Sequence, residues 1–309
     1  MIVQTINLTK KYGKLVALDH LQLSIEEGEC FGYIGPNGAG KTTTIRILAT
    51  LLQPTFGEAR VCGHVVGYQS RLIRPLIGYV PDFFGAYEDM TTQEYLEFFA
   101  AAYDIHGQKR QRIVGDVLEL TDLTYKRDAL VDTLSRGMQQ RLSIARVLLH
   151  DPKLLLLDEP ASGLDPRARI EIRELLKELH RMGKTILISS HILPELADLC
   201  TSIGILERGK MVFHGPVREA LRRARTGTVV HVITPDDAEK ARAALAGLQN
   251  VESATLRDGM IVLNLAEETN DFSFIVERLL AQRIRISEIK REEVNLETAF
   301  MRLTKGMVQ

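Results

Sequence analysis

This 309-residue chain has no tryptophan, and aromatic residues make up only 6% of it, so any cluster of rings in one short span stands out. It has three cysteines, Cys30, Cys62 and Cys200, far apart and without C-x-x-C spacing. That scarcity excludes a disulfide framework and a zinc site, and reads as buried thiols in a reducing compartment. Long apolar runs are missing too. No stretch reaches the roughly 18 to 20 apolar residues that cross a bilayer, and the opening MIVQTINLTKKYGK shows no apolar run of a secretory signal. A chain of this kind that works at a membrane does so from the aqueous side, through a partner. A basic excess is also lacking: 39 Lys and Arg face 40 Asp and Glu, for a net charge of −1, so no nucleic-acid partner is expected. There is no internal repeat and no low-complexity tract. What the chain has is 45% apolar residues over a length sufficient for one large domain or two ordinary ones.

Up to about residue 218, strand and helix signals alternate. VQTINL, LDHLQLSI, ECFGYIG, IGYVP, KLLLLDEP, TILISSH and the pair within SIGILERGKMVFHG read as strands. TTTIRILATLL, TQEYLEFFAAAYDI, RQRIVGDVLELTDL, QQRLSIARVLLH, RARIEIRELLKELHRMG and ILPELADLC read as helices. Apolar strands alternating with helices predict an α/β fold built on a mostly parallel sheet. The span from about 83 to 150 breaks the rhythm and reads as a helical subdomain. Near residue 225 the pattern changes to strand, helix, strand, strand, helix, strand. That order predicts a small α+β domain of the split βαβ (ferredoxin-like) type over 225–309, after a first domain over 1–224.

GPNGAGKTT (35–43) fits G-x-x-x-x-G-K-[ST] and lies between a predicted strand and a predicted helix. Gly35, Gly38 and Gly40 let the backbone curl so that successive N–H groups face phosphate oxygens. The following helix adds its positive end. Lys41 then reaches the β- and γ-phosphates and the Thr42 hydroxyl ligates Mg²⁺. LLLLDEP (154–160) is an apolar strand ending in two acids. Read alone it is an ordinary loop opening. Beside a phosphate loop, Asp158 holds Mg²⁺ and Glu159 polarises an attacking water. Ser135, in LSRGMQQR, reads by itself as a helix N-cap. His191 ends TILISSH at a strand tip, where it is either a surface residue or one of the groups that gather round a ligand.

Taken in order, these motifs over about residues 1–218 resemble the nucleotide-binding subunits of ATP-binding cassette (ABC) transporters. GPNGAGKTT matches the phosphate loop, Gly35, Pro36, Asn37, Gly38, Ala39, Gly40, Lys41, Thr42 and Thr43. Ser135, Arg136, Gly137 and Met138 resemble the LSGGQ signature, with departures at Arg136 and Met138. SGLD, ending at Asp165, is similar to the dimer-contact loop, His191 to the switch histidine, and Tyr12 to the aromatic residue that stacks on adenine. Asp82 stands where the family has a glutamine that touches Mg²⁺ and faces the membrane partner. A carboxylate remains an oxygen ligand for a hard cation, with shorter reach and an added charge.

The resemblance implies a P-loop ABC ATPase domain with a mixed sheet core and a helical subdomain, which binds ATP and Mg²⁺ and works as a pair of cassettes, homodimer or heterodimer. Each ATP is sandwiched between the phosphate loop of one chain and the signature of the other, with Glu159 as general base and His191 orienting water and γ-phosphate. It also implies an integral membrane permease as partner, received by the loop Asp82–Tyr87 and the helical subdomain. The chain is then peripheral on the inner face of the cell membrane. Phe83, Phe84 and Tyr87 would line that groove. The ending NLETAFMRLT resembles the tails of prokaryotic exporter cassettes for drugs, lipids or polysaccharides. Two rival readings are a soluble cassette ATPase acting on nucleic acid or the ribosome, and a regulatory module that binds ATP with little hydrolysis. The absence of a long coiled-coil insertion, a second cassette and a basic excess opposes the first. Intact Lys41, Asp158, Glu159 and His191 oppose the second.

Overall fold

The computed structural model describes residues 1–82, 85, 89–224, 228–235, 237–266, 271–292 and 295–304. The chain forms two compact units, one from Met1–Glu219 with the chain's end from Phe300, the other Ala220–Ala299.

In chain order the first unit contains β1 (Val3–Tyr12), β2 (Leu15–Ile25), β3 (Cys30–Ile34), α1 (Lys41–Leu48), β4 (Phe56–Val61), β5 (His64–Val65), α2 (Ser70–Ile73) and β6 (Ile77–Val80). Then come α3 (Thr92–Ala102), α4 (Gly107–Leu120), α5 (Arg136–Leu148), β7 (Leu154–Asp158), α6 (Pro166–Arg181), β8 (Thr185–Ser190), α7 (Leu193–Leu199), β9 (Ser202–Glu207) and β10 (Lys210–Pro216). α8 (Val217–Ala224) spans the point at which the two units part.

The strands of the first unit form a mixed core of two sheets, one of them mostly parallel. One sheet has the order β10-β9-β3-β8-β7-β6, parallel except for β10. A second, antiparallel throughout, has the order β2-β1-β4-β5. The sequence reading did not anticipate β4 and β5. FGEARV carries Gly57 and two charges, poor strand residues by propensity, and its pairing with β1 supplies what propensity lacks. Gly57 is required there: at φ 77°, a Cβ would lie 2.2 Å from the Asn7 carbonyl oxygen. α1 lies between the sheets, against β7 on one side and β2 and β4 on the other.

Strands β3, β7 and β8 are buried along their whole length, which is why they read as unbroken apolar runs. Because β3, β8, β7 and β6 are parallel, Ile34, Ser190, Asp158 and Val80 all end at one edge. Between β6 and β7, α3, α4 and α5 pack on one another, and α5 also packs on β6. Thr91 and Glu94 start α3 with a reciprocal capping box. Tyr95 is fully buried in this helical group, with Phe99 4.9 Å away ring to ring.

The second unit contains β11 (Thr228–Ile233), α9 (Ala238–Ala246), β12 (Val251–Arg257), β13 (Met260–Leu265), α10 (Ser273–Ala281) and β14 (Glu288–Arg291), and α11 (Leu296–Leu303) follows. Its sheet is antiparallel in the order β12-β13-β11-β14, the split βαβ arrangement. Val230, Val232, Ile261, Leu263, Ile275 and Leu279 form its core.

The hairpin between β9 and β10 turns at Arg208 (φ 49°) and Gly209 (φ 76°), the backbone a two-residue antiparallel turn needs. Gly209 also touches the phosphate loop, its N–H donating to the Ala39 carbonyl at 2.9 Å while its carbonyl accepts from the Asp19 N–H at 2.9 Å. A Cβ here would lie 2.7 Å from the Ala17 carbonyl oxygen. Gly209→Ala should therefore destabilise the chain by more than about 1 kcal/mol and weaken ATP binding at the same time. Chemical denaturation and nucleotide titration check this. Parental stability with parental affinity would show that the turn does not support the loop.

Candidate active site

The glycines of the phosphate loop answer different steric demands. A Cβ on Gly35 would lie 2.5 Å from the Leu206 carbonyl oxygen, and one on Gly40 2.6 Å from that of Ala17. Gly40 also has φ 108°, and Gly38 has φ 80° with open space around it. The loop is thus pressed against β9 and β2 while its turn delivers the N-terminus of α1. Lys41, only 6% exposed, donates from Nζ to the Gly35 carbonyl at 2.6 Å and lies 3.5 Å from Glu159 Oε1.

Asp158 closes β7 and is 2% exposed. Its Oδ1 accepts from Thr42 Oγ at 3.1 Å and from Ser189 Oγ at 2.8 Å. Glu159 follows in a left-handed conformation, φ 52°, and its N–H donates to Ser189 Oγ at 3.0 Å. Glu159 Oε2 accepts from the His191 N–H at 3.3 Å and lies 2.7 Å from His191 Nδ1. With the carboxylate as acceptor, Nδ1 carries the ring proton.

These groups meet in a cleft of about 740 Å³. Tyr12, Pro36, Asn37, Gly38, Ala39, Gly40, Lys41, Thr42, Thr43, Asp82, Glu159 and His191 line it, joined by Leu15, Ala17 and Ser162. Gly35 lies beneath the loop, and Asp158 stands behind Thr42. Asp82 is exposed at the tip of β6 and faces this cleft. Phe83, Phe84 and Tyr87 lie outside the described residues.

The signature-like residues do not line the cleft. Ser135 caps α5, its Oγ accepting from the Met138 N–H at 3.3 Å. Gly137 is buried where a Cβ would lie 2.7 Å from that of Ala168 in α6. Arg136 Nη1 reaches the Gly163 carbonyl at 3.5 Å. Asp165 caps α6, accepting from the N–H groups of Arg167 and Ala168 at 3.0 Å.

The sequence reading missed Ser189. It is the parallel register partner of Asp158, and its only sequence signal is a hydroxyl at the end of strand TILISS, beside Ser190 and two residues before His191. Leu15 and Ala17 also line the cleft with nothing in their residue type to mark them, and Ser162, which opens SGLD, joins them there.

For a divalent cation the donors are hard oxygens, the Thr42 hydroxyl and the Asp158 carboxylate side by side, with Asp82 on the same cleft. Among the described residues no group of three or more His, Cys, Asp and Glu side chains could hold a metal. A site with so few protein oxygens suits Mg²⁺, which binds through one or two carboxylates plus substrate phosphates and keeps several waters.

Residues 18–162 match the family model for ABC transporters. The linearmycin resistance ATP-binding protein LnrL of Bacillus subtilis is 31% identical over 306 residues, 98% of each chain. A Nod factor export ATP-binding protein I of Paraburkholderia xenovorans is 36% identical over 300 residues, 97% of this chain and 96% of that one. The chain belongs to the ATP-binding subunits of ABC transporters. Solved cassettes share its fold. An ATP-binding subunit of an ABC transporter superposes with a TM-score of 0.65 at 29% identity, covering 72% of this chain and 93% of that one. A dimeric cassette in a post-hydrolysis state with ADP and phosphate bound gives 0.63 at 29% identity, covering 70% and 98%. The chain is thus an ABC ATPase that binds ATP, and no helix among the described residues is long and apolar enough to cross a membrane.

Burial pushes the Asp158 carboxyl of this cassette above the usual Asp range, against the opposing pull of the Ser189 and Thr42 hydroxyls. The folded chain therefore holds a proton there more tightly than the unfolded chain does. Stability falls as pH rises from the ordinary Asp value through the raised one. Asp158→Asn keeps Oδ1 as an acceptor and removes the charge. Its nucleotide-free form should melt above the parent at about pH 8, with the gain vanishing near about pH 4. Calorimetry across that range checks it, and a variant no more stable than the parent at the higher pH would show the ionised carboxylate to be no burden.

Proposed function

We propose that this subunit powers a separate membrane subunit of an exporter, with two cassettes closing on two ATP molecules and hydrolysis reopening them. The observation that carries this is one cleft lined by the phosphate loop, by Thr42 with Asp158 bonded behind it, and by the Glu159–His191 pair. Its relatives named for Nod factor export and linearmycin resistance support the outward direction.

In this reading the triphosphate lies on the loop N–H groups and the positive end of α1. The Lys41 ammonium exchanges Glu159 for the β- and γ-phosphates. Thr42 and Asp158, with Asp82, hold Mg²⁺, which when bound neutralises charge on the phosphate oxygens. Glu159, freed at Oε1, takes the proton of the attacking water. His191 fixes Oε2 through Nδ1 and directs its second nitrogen to the γ-phosphate. Tyr12 stacks on adenine at the cleft's edge. Ser135, Arg136, Gly137 and Met138 serve the partner cassette's nucleotide, and Asp165 the contact between cassettes. Their place away from the cleft is what such an arrangement requires. The permease docks on the loop Asp82–Tyr87 and the helical subdomain, which puts the chain on the inner face of the cell membrane. The C-terminal domain takes a packing or dimerisation role.

Glu159→Gln should lower turnover by about a hundredfold or more while trapping an ATP-bound dimer, seen by phosphate release and size-exclusion chromatography. Unchanged turnover would remove Glu159 from this role.

Phe84→Asp should abolish membrane association and leave ATP affinity intact, as read by flotation with membranes and nucleotide titration. Retained flotation would place the docking surface elsewhere.

A further inference from the structure

We propose that Ser189 is a positioning residue for hydrolysis, coupling through one hydroxyl the carboxylate that holds the cation to the backbone that carries the general base. This rests on the reading of the cleft given above. Ser189 is fully buried and does not line the cleft, so it cannot touch the nucleotide itself. Its Oγ donates to Asp158 Oδ1 at 2.8 Å and accepts from the Glu159 N–H at 3.0 Å. A hydroxyl has one proton to give and lone pairs to receive with, and both capacities are spent on two consecutive residues of one strand tip. Few other side chains could do this. Alanine or valine offers neither bond, and a carboxylate could accept but not donate.

The need for the contact comes from the Glu159 backbone. Its φ of 52° is a left-handed conformation that disfavours a side chain with a Cβ. Something must hold the peptide in that turn, and Ser189 holds its N–H. The turn aims Oε1 at Lys41 and Oε2 at His191. With Ser189 removed, the peptide can relax towards an ordinary extended conformation and swing the carboxylate off the attacking water. Asp158 keeps the Thr42 bond and stays in place. The neighbouring Ser190 has a different task, its Oγ accepting from the Ile192 N–H at 2.9 Å, so the two serines are not equivalent.

The test is ATP hydrolysis by the purified full chain as Ser189→Ala, Ser189→Val and Ser189→Thr, beside Glu159→Gln. Threonine and valine have the same shape and differ in the hydroxyl. Ala and Val should lower kcat about tenfold, with the KM for ATP and the affinity for ADP within about twofold of the parent. Thr should regain most of what Val loses. Unchanged kcat in Ala and Val would overturn the proposal. So would an equal loss in Thr and Val, or a rise in KM with a matching fall in melting temperature, since packing alone accounts for either. Parental turnover by Glu159→Gln would instead overturn the reading of the cleft, whatever the Ser189 series shows.

Discussion

A carboxylate buried at the end of an apolar strand sets the terms for the rest of this molecule. Taking an ion out of water costs several kcal/mol even after the protein relaxes. Hydrogen bonds to a charged group return roughly 1.5–3 kcal/mol each. Asp158 has two such donors, Thr42 and Ser189. Each donor then constrains a different element. Thr42 must be the second residue of α1, so that helix has to begin at Lys41. It is held in place by lying between the two sheets. Ser189 must be in register with Asp158, which the parallel pairing of β7 with β8 provides. A carboxylate that is costly to bury is also the kind of hard oxygen donor that a cation beside this loop would use.

Backbone rather than side chains shapes the remaining wall. The loop is clamped from below by the β9–β10 hairpin, through the Gly209 N–H on the Ala39 carbonyl and the close approach of Gly35 to Leu206. On its other side Gly40 meets Ala17 of β2. The antiparallel sheet is therefore part of the site's construction: it fixes where the loop can curl and brings Tyr12, Leu15 and Ala17 to the cleft.

How much of this could be read from the chain follows the same division. Positions tied to a local steric or chemical demand carry a signal in the sequence: the loop glycines, Lys41 and Thr42, and the two acids after LLLL. The split βαβ order of the second unit was legible too, because its strands and helices alternate cleanly and Asp258-Gly259 marks the hairpin. β4 and β5 were not legible, since Gly57, Glu58 and Arg60 argue locally against a strand that long-range pairing with β1 imposes. Ser189 was hidden for a similar reason. Its meaning lies in a neighbour thirty-one residues away in sequence, and nothing local distinguishes it from Ser190.

The surfaces outside the cleft follow from geometry rather than residue type. Ser135 and Asp165 both spend their side chains capping their own helices, α5 and α6. Gly137 lets those helix starts touch at Ala168, and Arg136 reaches across to the Gly163 carbonyl. The loop they grip begins at Glu159, whose carbonyl accepts from the Ser162 N–H at 3.0 Å. Arg136 and Glu159 are thus joined by a short, continuous set of contacts, although only Glu159 lines the cleft.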